Sequence, residues 1–164
     1  MFAYDQSEWS DLFVASAGAS AALAGLVVVA ISINIDRILK FPGLPERALV
    51  TLLMLLGVVV VSTLGLAPGQ SRTALGLELL VASLLSATAI AVLLARGVPA
   101  TSGPLSWRLG HASIAVFATL PFVLGGASVL AGVGGGLYWI LAGIVFAIVG
   151  AVLNAWVLLV EILR

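Results

Sequence analysis

Glu78 is the residue whose type and place most invite chemistry. It lies inside an apolar stretch, Thr73–Ala95, about two turns from its start, on a helical face with Ala82 and Ala89. An ionisable side chain in such a setting is costly to bury, which makes it a candidate for ion or proton handling. The structural alternative is equally open. Near a helix N-terminus the backbone dipole favours a carboxylate, and Arg72 stands within reach.

Ser16, Ser20 and Asn34 are the next candidates. On a helix they fall within about 40° of one direction, a sparse polar stripe along the first apolar stretch. Such a stripe lines a water-filled path, or its hydroxyls bond back to their own carbonyls. Asn154 and Glu161 are seven apart and share a face of the last stretch. Asn34, Asp36 and Arg37 end the first stretch at a similar depth, so a polar network drawing in Arg47, Arg96 or His111 is one expectation. The plainer one for Asp36 and Glu161 is a charged helix end reaching out to water.

Much other chemistry is closed. The chain has no cysteine and one histidine, His111. That removes thiolates, cysteine-based metal sites and any site needing two imidazoles. No serine–histidine or paired-carboxylate arrangement occurs at a workable spacing. No catalytic residue, metal or cofactor is therefore expected, and the chain reads as a non-enzyme.

The elements that must position these residues follow from composition. The 164 residues are 62% hydrophobic and 9% charged, far from the balance of a water-soluble domain. Mean hydropathy is +1.27. Lipid is the solvent in which such a composition is reasonable, because outward faces must then be apolar too. Seven basic and seven acidic residues cancel, and no basic run offers a surface to nucleic acid.

Roughly 20 mainly apolar residues cross a bilayer as a helix. Five stretches qualify: about 11–35, 48–67, 73–95, 109–131 and 137–163. The whole chain, 1–164, reads as one all-α transmembrane domain with no soluble part. Pro42, Pro45, Pro68, Pro99 and Pro104 fall in the separators, and Gly132–Gly136, the weakest break, reads as a tight turn because 109–163 is too long for one span. Pro121 lies within the fourth stretch, where a kink is expected. Acidic residues precede the first stretch and no basic residue does, so it reads as an uncleaved span rather than a leader.

Lys and Arg set the orientation. Arg37, Lys40, Arg47, Arg96, Arg108 and Arg164 share one side of a five-span chain, against Arg72 on the other. The N-terminus is expected outside and the C-terminus in the cytoplasm. Phe2, Tyr4, Trp9, Phe13, Tyr138 and Trp139 gather at the outer helix ends and Trp107 at an inner one, as an aromatic belt would.

Small residues crowd two helices. Gly18/Ala22 and Ala21/Gly25 are four apart on the first, and Gly143, Ala147, Gly150 and Ala151 mark the last. Close approach of backbones is what such pairs permit in lipid, within one bundle or between protomers.

Three segments carry a family likeness: Ser32-Ile33-Asn34-Ile35-Asp36-Arg37, Phe41-Pro42-Gly43-Leu44-Pro45-Glu46-Arg47 and Ala67-Pro68-Gly69-Gln70-Ser71. Over roughly its first half the chain resembles a group of small multi-pass proteins of bacterial inner membranes. The resemblance implies that location and no particular activity. Two functions then compete: assembly through helix faces, with itself or another membrane protein, or an oligomeric channel or transporter for an ion or small solute. The bilayer is the surrounding partner in both.

Overall fold

The computed structural model describes the backbone of residues 2–97 and 105–163 and the side chains of residues 3–96, 113 and 116–160. Expectations resting on the side chains of Phe2, Pro99, Pro104, Trp107, Arg108, His111, Glu161 and Arg164 lie outside the described residues. All regular structure among the described residues is helical.

Two short 3-10 turns, Phe2–Tyr4 and Gln6–Trp9, lead into α1, Ser10–Ile33. Asn34 interrupts the helix, and one further turn follows as α2, Ile35–Ile38. Then come α3 (Leu44–Gly65), α4 (Arg72–Gly97), α5 (Leu105–Ala131) and α6 (Leu137–Leu163). Helix α3 begins at Leu44 rather than near Ala48. Gly43 turns the chain at φ 89°, and Pro45 sits in the first turn of the helix, where its missing N–H costs nothing. Pro45 thus starts a helix instead of separating two, and Arg47 lies on α3 rather than in a loop.

The α5–α6 turn shows why it is made of glycine. Gly132, Gly134, Gly135 and Gly136 all have positive φ, from 55° to 109°, a region other residues enter at a steric cost. Ser128 staples the turn. Its Oγ accepts from the Gly136 N–H at 2.7 Å and donates to the Val133 carbonyl.

Helix α3 packs against α1, α4 and α6, while α5 packs against α4 and α6. Helices α3–α6 therefore close a ring, and α1 leans on it through α3. One apolar core joins the ring: Leu55 and Val58 of α3, Leu79 of α4, Phe122 and Val129 of α5, and Ile140 of α6. The closest approach is between α4 and α5. A Cβ on Gly76 would sit 2.6 Å from the Leu130 backbone, and one on Gly126 would sit 2.6 Å from that of Leu80. These two glycines bring backbones together, and α5 runs unbroken through the buried Pro121.

Among the described residues four segments are long and apolar enough to cross a membrane: Gln6–Ile33, Leu44–Gly65, Arg72–Arg96 and Leu137–Val160. The described part of α5 adds the apolar segment Val116–Ala131. Outward side chains are apolar as well, among them Leu26, Ile33, Leu85 and Phe117. Water would penalise that surface and hydrocarbon does not. The chain is a multi-pass helical membrane protein.

Candidate functional site

The small residues of α1 and α6 lie in opposite settings. Ser16, Ser20 and Phe13 of α1 are buried, with Phe13 wedged over Gly65 at the end of α3. Gly18 lies near the far side of the helix from Ser20, by 3.6-residue periodicity. Around Gly18 and Gly25 no atom comes within 4 Å of an added Cβ, and Ala15, Ala21 and Ala22 beside them are exposed. On α6, Gly143 meets the Phe122 ring at 2.8 Å, and Ala147, Gly150 and Ala151 are buried. Two of the four expected packing glycines thus work inside the chain and two face out of it. Helical spacing does not reveal Gly76 and Gly126, where a Cβ would meet the backbone of a neighbouring helix at 2.6 Å. Each stands alone, without a small partner four residues away on a matching face.

The polar stripe does not open onto a path. Ser16 and Ser20 are packed away, and the Ser20 hydroxyl is buried without a hydrogen-bond partner, as is that of Ser62 on α3. Other hydroxyls bond back to the preceding turn, Ser32 to Val28 at 2.8 Å and Thr51 to Arg47 at 2.9 Å. Asn34, half-buried, turns its amide on the Ala30 carbonyl at 2.9 Å. Its bond is local, and Asp36 beside it is exposed.

Asn154 does reach another helix. Its Oδ1 accepts from Arg47 Nη2 at 3.4 Å, and both side chains are buried, at 6% and 8% exposure. A guanidinium held in that setting depends on such acceptors, because an unmet buried charge is far costlier than an unmet amide. Of the network expected at this end, the structure brings together Arg47 and Asn154. Asn34 and Asp36 stand outside this pair.

Glu78 is half-buried and accepts a hydrogen bond from Gln70 Nε2. The expected partner, Arg72, is exposed and lies over Gly132 instead. Gln70 sits eight residues earlier, in the loop that folds back over α4, a placement that helical spacing does not reveal.

The end of α3 and the turn before α6 are tied by the N-terminal turns. Gln6 Nε2 donates to the Gly65 and Ala67 carbonyls at the end of α3, filling positions that a helix C-terminus leaves open. The Tyr4 hydroxyl accepts from the Gly135 N–H at 3.1 Å. Trp9 and Tyr138 meet edge to face at 4.8 Å, a favoured aromatic geometry. Asp5 caps the second turn. The Ser7 hydroxyl and N–H bonded to its carboxylate hold it below the usual carboxylate range. Phe13, expected in this aromatic belt, is fully buried and belongs to the core. An open cleft of about 710 Å³ lies here, lined by Asp5, Gln6, Gln70 and Arg72 among others. It includes neither Glu78 nor the α1 serines beyond Ser10.

No protein-family model, curated protein or solved structure matches the chain.

Proposed function

We propose that this is a five-span protein of the bacterial cytoplasmic membrane, N-terminus outside and C-terminus inside, that acts by self-assembly through α1. It carries no catalytic site in this reading. One observation carries the proposal: the Gly18/Ala22/Gly25 face of α1 is open, whereas Gly65, Gly76, Gly125, Gly126 and Gly143 sit where a Cβ would collide. Small residues in lipid are useful where backbones meet, and among the described residues nothing packs within 4 Å of Gly18 or Gly25 on this face. Helix α5, 27 residues long, supplies the fifth span, and the Lys and Arg distribution supports the orientation.

A path through the chain itself draws no such support. The ring is joined by an apolar core, and the polar stripe of α1 is packed away.

The chain has no cysteine, so a single introduced one reports alone. Ala22→Cys should give disulfide-linked dimers on mild oxidation in native membranes, and Val149→Cys, exposed on α6, should not. Equal cross-linking at both positions would reduce the contact to random collision.

A further inference from the structure

We propose that the apolar groove between α1 and α6 holds an acyl chain of an anionic phospholipid, whose phosphate meets Arg37 and Lys40 at the α2 end. The proposal rests on membrane embedding; the orientation proposed above adds only that the lipid belongs to the cytoplasmic leaflet.

The groove encloses about 300 Å³ and is lined by apolar side chains alone, among them Leu23 and Val27 of α1, Ile38 of α2, Leu55 of α3, and Ala155 and Trp156 of α6. That is the lower end of the range for small-molecule sites. Walls whose only side-chain donor is the Trp156 indole N–H on the rim suit hydrocarbon and reject a headgroup or polar solute. Depth agrees with a lipid tail. The walls begin at Leu23 of α1 and Ala151 of α6, roughly 20 Å along each helix at 1.5 Å per residue. They end at α2, so the groove runs from mid-membrane to the headgroup level of one leaflet.

Charge at that end selects the headgroup. Arg37 and Lys40 flank Ile38, which lines the groove, and both are exposed. Asp36 is the carboxylate on the same turn, so the turn keeps a net positive charge. A basic group at the membrane surface attracts anionic lipid. Trp156, 67% exposed on the rim, has the amphipathic ring favoured at that depth. A second copy does not claim the groove, because Leu23 and Val27 point away from the Gly18 face that self-assembly would cover. Lipid and assembly therefore take adjoining surfaces of α1, with Leu26, four residues after Ala22, at the border.

Native mass spectrometry of the intact protein, titrated with phosphatidylglycerol or phosphatidylcholine of identical chains, tests this. Phosphatidylglycerol should be retained in preference. Arg37→Gln with Lys40→Gln should weaken it by roughly fivefold per cation, closing the gap between the two lipids. Filling the groove with Ala30→Leu and Ala155→Leu should abolish retention of both. A second readout is independent of whether that filled variant folds. Phosphatidylglycerol with brominated chains should quench the fluorescence of the wild type more than that of Trp156→Phe. Equal retention of the two lipids, or equal quenching of the two proteins, would overturn the proposal. Dimers are counted in the same spectra, so loss of lipid with dimers intact would leave the assembly reading standing.

Discussion

Helices α1 and α6 draw on the same residues and use them in opposite ways. Both are long, apolar and rich in glycine and alanine. In α6 these residues are spent inside the chain, with Gly143 against Phe122 and Ala147, Gly150 and Ala151 buried. In α1 Phe13, Ser16 and Ser20 are buried, with Phe13 over Gly65 of α3, and Gly18 and Gly25 look outward over open space. Composition alone therefore does not say whether a small residue serves folding or assembly. Which helical face carries it does. Because α6 closes a ring and α1 leans on the outside of it, the same substitution should unfold one and spare the other.

The largest effect is expected in neither helix but where backbones touch. Gly126→Leu thrusts a side chain into the Leu80 backbone, which cannot step aside as a rotamer does. A loss at or beyond the roughly 3 kcal/mol upper end of overpacking is predicted, seen as failure to fold or a large fall in melting temperature in detergent. On α6, Gly143→Leu should cost about 1–3 kcal/mol, since the Phe122 ring can shift in part. Thermal unfolding followed by tryptophan fluorescence would rank the two. Gly143→Leu at wild-type stability would remove α6 from the packed side of the comparison.

Asn154→Leu tests the polar contact on the same helix. It fits the apolar surroundings yet takes an acceptor from a buried guanidinium, at a cost of about 1.5–3 kcal/mol. Arg47→Leu together with Asn154→Leu should recover part of that loss, because the guanidinium that the lost acceptor served is gone as well. A double variant no better than the single would show that the pair does not act as a unit. Glu78→Gln is smaller, about 0.5–1.5 kcal/mol, since Gln70 keeps an acceptor and loses only its charge. Reconstituted vesicles should show no ion flux that depends on it. A wild-type flux abolished by Glu78→Gln at unchanged stability would reinstate the channel reading.

How much of this was legible in the sequence varies with the physics involved. Helix positions were, because twenty apolar residues in lipid leave the backbone no other way to satisfy its hydrogen bonds. The limits at Gly132–Gly136 followed from the same logic. The start of α3 was not, because Pro45 reads equally as a breaker and as a first-turn residue until the backbone at Gly43 is known. Side-chain partners were the least legible. The face Asn154 shares with Glu161 was legible from their spacing, but Arg47, Arg96 and His111 were equally open as its basic partner. Gln70 for Glu78 depended on how a loop folds back, and the tight Gly76 and Gly126 contacts depended on which faces of α4 and α5 meet. Sequence spacing gives faces within a helix; it does not say which faces pair.

The smallest effect on folding is expected at Gly18 and Gly25, and there the account is most exposed. Gly18→Leu with Gly25→Leu should leave the melting temperature of the dilute, monomeric protein within the range of surface changes, about 0.5 kcal/mol either way. Glycine-to-leucine raises helix propensity, and nothing lies within 4 Å of either position to be displaced. Self-association in vesicles, measured by counting single-molecule photobleaching steps as protein is diluted in lipid, should weaken on the order of tenfold or more, about 1.4 kcal/mol. Val152→Leu, exposed on α6, should change neither quantity. A wild type that stays monomeric at every dilution, or a double variant that associates as the wild type does, would contradict the claim that α1 is the assembly face.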